Sequence, residues 1–270
     1  MLLAVADVAA PLQTKFIQVH PTPRDPLVMV RTQGQTRAVL LIHGFKVHGP
    51  ASKTVAEPIF HSWQQPGSTL VTTLGKDSDV FAFSYGQNVK LDAVSQSPAL
   101  ATAVRKLKGL GYSDIVLMGH SAGGIIARHL VEDQPNLGVT KVIQVCSPNG
   151  GAGMAALSVC REQEPFARSL SKEERKKCVN ARAGIAIPPH IDFVCVVAAL
   201  TNLGDGLVSC REQWTEDLQR QGIPALRLSS SHWTIVRSES NAQKLAELIR
   251  RPPARLSPEQ VQALKKTVLK

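Results

Sequence analysis

No apolar run in this 270-residue sequence approaches the roughly 20 residues that a helix needs to cross a bilayer, which excludes helical channels and transporters. Cysteine is scarce: five residues, an odd number without metal-ligand spacing, so no metal site is expected. Cys146 and Cys195 fall in predicted strands as small core residues. Cys160 and Cys178 share one segment and would pair if the protein is exported, and Cys210 has no assigned role. A recognition helix is lacking, and no aromatic residues interleave the basic ones. Nucleic-acid binding is therefore not expected, although Lys and Arg outnumber Asp and Glu by 31 to 21 and set a net charge of +10. The scattered charge reads as a solubilising basic surface with weak attraction to acidic surfaces. Met1–Ala10 is apolar and ends in small residues, but it lacks a basic leading segment, and Asp7 interrupts it. It reads as a mature N-terminus, and a cytoplasmic location is favoured over export.

What is present is a core. Apolar residues make up 43% of the chain and charged residues 19%, enough for one large α/β domain and unlike a disordered chain. The chain is organised around Asp114–Leu130, where an apolar run, Ile115–Met118, leads into Gly119-His120-Ser121-Ala122-Gly123 and then an amphipathic stretch. A strand, a sharp Gly-x-Ser-x-Gly turn and a helix form the context of a nucleophile elbow. Ser121 is expected in a strained backbone conformation that lifts its hydroxyl clear of the sheet. The helix would aim its free N–H groups, chiefly that of Ala122, at a developing oxyanion.

Taken in order, residues 11–26 are proline-rich, with a short edge strand at Phe16–Val19. Leu27–Arg31 and Arg37–His43 read as a hairpin into a central strand. Lys53–Gln65 is expected to be helical, as are Ser68–Lys76 and Pro98–Leu110, and Val80–Ser84 and Thr140–Cys146 are strands. From 152 to 188 the alternation of strand and helix stops. An Ala/Leu-rich stretch and a charged helix, Ser169–Arg182, read there as a cap insertion, with Leu157 and Phe166 facing an acyl pocket. Arg168, Lys172, Arg175, Lys176 and Lys177 would form its outer, solvated face. Ile191–Leu200 and Ala225–Leu228 complete the sheet, and Ser238–Arg250 is the closing helix. The domain spans 1–250, and 251–270 is a basic tail with helical periodicity. The alternation predicts a mostly parallel sheet with helices on both faces and a site at the strands' carboxyl ends.

A serine hydroxyl needs a base, and the base needs an orienting acceptor. Ser121, Asp205 and His232 each follow a predicted strand, in the order nucleophile, acid, base. Asp192 lies at the wrong end of its strand, Asp217 on a charged helical stretch where a solvated role is the default, and Asn149 cannot carry the charge. His120 is expected to point away from the substrate. Gly44 ends the strand before Phe45, whose N–H would be the second oxyanion donor.

These residues resemble the α/β-hydrolase superfamily, in particular its bacterial lipases and esterases. Leu41-Ile42-His43-Gly44-Phe45 is similar to the lipase oxyanion strand, Gly119–Gly124 to the elbow, and Gly204-Asp205-Gly206-Leu207-Val208 to the acid loop. The resemblance implies the α/β-hydrolase fold and hydrolysis of small-molecule carboxylic esters with apolar acyl groups, without cofactor. Where many lipases carry Pro-His-Gly, this chain has Pro148-Asn149-Gly150. A thioesterase, amidase or acyltransferase would use the same triad, and a non-catalytic binding protein of this fold stays open.

Overall fold

The computed structural model describes residues 11–25, 28–153 and 159–270. Seven strands form one sheet: β1 (Thr14–His20), β2 (Arg37–Ile42), β3 (Asp79–Tyr85), β4 (Asp114–His120), β5 (Lys141–Val145), β6 (Asp192–Ala198) and β7 (Ala225–Leu228). Their order is β1-β3-β2-β4-β5-β6-β7, and β1 alone runs antiparallel, against β3. Val39–Ile42 and Ile115–Met118 are continuously apolar because helices cover both faces of the sheet. On one face Leu40, Ile42 and Leu117 pack with α2 (Leu91–Gln96), α3 (Pro98–Gly109) and α4 (Ala122–Asp133). On the other, Val39, Leu41 and Met118 pack with α1 (Thr69–Leu74) and α9 (Glu239–Arg250). The strand order changes direction around β2, so the crevice for a ligand opens beyond the carboxyl ends of β2 and β4.

The remaining helices are α5 (Glu164–Ser169), α6 (Lys172–Ala181), α7 (Cys210–Gln213), α8 (Glu216–Arg220) and α10 (Pro258–Val268). α10 packs against β7 and buries Val261 and Val268, so the basic tail is docked. Among the described residues no helix is long and apolar enough to cross a membrane.

Two expected elements do not form. Residues 28–31 are not a strand, since β1 takes the sheet edge beside β3 and the amide and carbonyl of Val30 bond instead to the Gln18 side chain (2.8 Å each). The helix expected over 53–65 is reduced to one 3₁₀ turn, Ser62–Gln64. Pro58 removes a donor in mid-segment, and the Val55 carbonyl accepts from the Gln87 N–H (2.7 Å) in place of a helical partner. The Leu157 expected in the cap, like Met1–Ala10, lies outside the described residues.

Candidate active site

Ser121 joins β4 to α4 with φ 55° and ψ −127°, a conformation that costs an L-residue strain and persists only where its surroundings enforce it. Here the enforcing contact is the close passage of α4 over β2. A Cβ on Gly123 would stand 2.2 Å from the Ile42 carbonyl oxygen. On the other side of Ser121 lies Gly44, where a Cβ would stand 2.4 Å from Ser121 Cβ and 3.0 Å from its Oγ. Glycine at 44 is therefore what lets the β2 loop lie against the serine. Phe45 follows Gly44 and Ala122 follows Ser121 in the chain, and the N–H of neither donates to a protein acceptor among the described residues.

The loop after β6 carries Asp205, which is buried. Its Oδ1 accepts from the N–H groups of Leu207 (2.9 Å) and Val208 (2.7 Å), and its Oδ2 accepts from His232 Nδ1 (2.6 Å). The His232 N–H returns to the Asp205 carbonyl (3.0 Å), so both chain segments are tied in two places. Gln213 fixes the Asp205 loop from below, donating to the carbonyls of Ala198 (2.9 Å) and Val208 (3.0 Å). His232 and Ser121 line one cavity of ≈ 140 Å³, with Phe45, Val47, Leu207, Trp233 and Val236 among the apolar walls. No hydrogen bond joins Ser121 Oγ to the imidazole, as is common in sites without substrate.

Three further histidines surround the cavity. His43 is stacked between His61 (4.7 Å) and Tyr85 (4.3 Å), donates from Nδ1 to the Gly44 carbonyl (2.7 Å) and accepts from Ser84 Oγ (3.0 Å). His120 lines the cavity, contrary to expectation, because its Nε2 donates to the His232 carbonyl (2.8 Å) and holds the ring beside His232. Burial lowers His43 to about 4, His120 to about 3 and His61 to about 2, so all three are neutral at physiological pH.

A folded-state pKa below the unfolded 6.5 makes the unfolded chain bind more protons, so stability falls as pH drops below about 6.5. At pH 5.5 three such groups together cost up to ~4 kcal/mol relative to neutral pH. The expected result is a urea midpoint that falls steeply between pH 7 and 5.5. A midpoint flat over that range would show that these rings are not held neutral.

The other residues weighed from sequence lie elsewhere. Asp192 is exposed at the start of β6. Asp217 is not solvated: it pairs with Arg128 (2.5 Å), which also holds Glu132 (2.7 Å), a buried network that links α4 and α8. Asn149 is buried and donates to Gln144 Oε1 (3.0 Å) and the Gln213 carbonyl (2.8 Å). Phe166 does not line the cavity. It packs behind it, against Phe45 (6.0 Å) and Tyr85 (5.8 Å), because α5 lies on the α2 side of the sheet. Arg175 faces inward, with its guanidinium donating to the Asn149 carbonyl (3.3 Å) and lying 3.3 Å from His129 Nε2. All five cysteines are free thiols.

Two groups have the composition of metal ligands. In Asp92–His129–Cys178 the Arg175 guanidinium beside His129 opposes a cation. In His120–Cys146–His232, His120 Nε2 and His232 Nδ1 are already committed to protein acceptors. Sequence reasoning missed Trp63 and His61 as cavity residues and Gln87 and Gln163 as supports of the loop after β2. None belongs to a motif, and the segment carrying the first two was read as a helix.

Among curated proteins none matches the sequence. The sequence profile of the family described as "Alpha/beta hydrolase of unknown function (DUF900)" matches residues 27–145, the part that carries the β2 loop and the elbow. Among solved structures, the mature form of the lipase BlEst2 from Bacillus licheniformis is similar over 88% of this chain and 98% of that one, with 14% identity and a TM-score of 0.61. Its propeptide form aligns with 91% of this chain, at 14% identity and a TM-score of 0.63; this chain spans 55% of that longer one. Lipase B from Aspergillus fumigatus aligns with 88% of this chain and 57% of its own, at 13% identity and a TM-score of 0.56. The chain therefore has the α/β-hydrolase fold.

Proposed function

We infer that the protein is a serine hydrolase of small carboxylic esters. The observation that carries this reading is the strained Ser121 at a cavity shared with an Asp205-bound His232, with the N–H groups of Phe45 and Ala122 unspent. His232 takes the Ser121 proton as Oγ attacks the ester carbonyl. The oxyanion is held by the N–H groups of Phe45 and Ala122, each donor being worth about 3–4 kcal/mol in such sites. His232 then protonates the departing alcohol, and water attacks the acyl-enzyme with the same base. Asp205 holds the imidazole with its proton on Nδ1, leaving Nε2 as the acceptor.

Acyl size follows from the cavity. Its ≈ 140 Å³ is well under the roughly 300–1,000 Å³ of sites that enclose drug-sized ligands, and its walls are mainly aliphatic and aromatic. Short apolar acyl groups fit this space. The experiment is kcat/KM across acetate, butyrate, octanoate and palmitate esters of one alcohol. The expected result is a maximum at acetate or butyrate with each longer ester poorer, whereas a maximum at palmitate would overturn the acyl-size reading. Absence of turnover on every ester, with no labelling of Ser121 by a fluorophosphonate, would overturn the hydrolase reading itself.

A further inference from the structure

The loop after β2 is short of regular partners, yet its polar backbone groups are tightly held. Two buried glutamines hold them. Gln87, just past β3, donates from Nε2 to the Gly44 carbonyl (2.9 Å) and accepts at Oε1 from the Lys46 N–H (3.1 Å). Gln163, in the insertion ahead of α5, donates to the Lys46 carbonyl (2.5 Å) and to Gln87 Oε1 (2.8 Å), and accepts from the His48 N–H (2.9 Å). Neither side chain is needed to build the sheet. Both converge on the five residues after His43.

The Gly44 carbonyl and the Phe45 N–H belong to one planar, trans peptide unit, so they point in opposite directions. Fixing the oxygen fixes the direction of the N–H. The Gly44 oxygen receives two donors, Gln87 Nε2 and His43 Nδ1 (2.7 Å), and the Phe45 N–H is thereby turned to the opposite side of a peptide whose glycine lies against Ser121. Gln87 can do this only with its amide nitrogen toward Gly44. A glutamine amide presents a donor on one side and an acceptor on the other, and a flip would exchange them. The Lys46 N–H at Oε1 already opposes the flip, and Gln163 adds a second donor against it. Its Nε2 donates to Gln87 Oε1 and so pins the Gln87 amide in the orientation that serves Gly44. The same segment stacks Phe166 on the Phe45 ring at 12° between planes, holding the loop from its side-chain face.

From this geometry we propose that Gln163 is a positioning residue for the oxyanion hole, acting through Gln87 on the Gly44–Phe45 peptide. The proposal rests on the serine-hydrolase reading and gives the insertion a role in it. The segment sets the donor that meets the tetrahedral intermediate, in place of lining the acyl pocket. A donor already aimed at the place where charge develops needs no reorganisation during reaction. A donor displaced by a fraction of an ångström to an ångström loses much of its effect, up to about a hundredfold in rate.

The test uses Gln163→Glu and Gln163→Met in the full chain. The carboxylate of Gln163→Glu keeps the shape but faces Gln87 Oε1 and the Lys46 carbonyl with a second acceptor. Methionine keeps the length and removes all three bonds. Arg168→Ala, on the exposed face of α5, is the control and should be unchanged. For both Gln163 variants kcat on a butyrate ester should fall about ten- to a hundredfold with KM nearly constant. Affinity for a butyryl trifluoromethyl ketone, whose adduct with Ser121 carries the oxyanion, should fall by the same factor as kcat/KM. Affinity for the matching unreactive amide should not change. If both variants fold, as judged by urea midpoint, and retain full kcat, or lose ketone and amide binding equally, the proposal is overturned while the hydrolase reading stands. If the wild type neither turns over esters nor binds the ketone, both fall. Should Gln163→Met not fold, the Gln163→Glu result decides.

Discussion

Ser121→Ala should abolish nearly all ester hydrolysis, with a loss on the order of 10⁶ in kcat. Among the described residues no other nucleophile lines the cavity: its remaining walls are apolar side chains, imidazoles and Arg237. The residual rate should stay about 10³–10⁴ above water, because the N–H groups of Phe45 and Ala122 and the pocket survive. Folding should be nearly unaffected. The Ser121 hydroxyl has no hydrogen bond to lose among the described residues, and alanine meets the same φ of 55° with no larger side chain. The expected urea midpoint is within ~0.5 kcal/mol of wild type. Turnover unchanged in the folded variant would remove Ser121 from the chemistry. Collapse of the midpoint would instead show that the hydroxyl supports the elbow.

The parts of this molecule that were legible in the sequence are those governed by local pattern. Parallel strands covered on both faces read as unbroken apolar runs, so Val39–Ile42 and Ile115–Met118 declare themselves. The start of α3 is equally plain, with Ser97 capping the Ala99 N–H and Pro98 in the first turn. The order of Ser121, Asp205 and His232 is visible because each stands just beyond a strand, and the sheet brings strand ends to one edge. What was hidden depends on partners distant in the chain. Asp217 reads as solvated until Arg128 arrives from 89 residues away. Arg175 belongs to a charged helix whose inward face cannot be read from periodicity, since most of its neighbours are charged as well. Gln87 and Gln163 are the extreme case. Each is a neutral residue of no motif, and its task is to satisfy backbone groups that exist only once the β2 loop has folded against Ser121.

Asp205→Asn should lower kcat by about 10⁴ while leaving KM close to wild type, and the reason lies in which oxygen does what. Oδ1 is taken by two donors, the N–H groups of Leu207 and Val208. An asparagine at 205 must keep its carbonyl oxygen there, since its NH₂ would face those N–H groups as a third donor. The NH₂ is then forced into the place of Oδ2, 2.6 Å from His232 Nδ1. A donor in that position stabilises the imidazole with its proton on Nε2, and such a ring cannot accept the Ser121 proton. The variant is thus held in the wrong tautomer by the very contacts that keep its loop in place, and its fold should be retained. Asp192→Asn, at an exposed strand start, should keep most of its activity, and so should Asp217→Asn, whose partner Arg128 retains Glu132. The measurement is kcat on a butyrate ester for the three variants, with the urea midpoint of each. A fully active Asp205→Asn, or an inactive and folded Asp192→Asn, would take the acid's role away from Asp205.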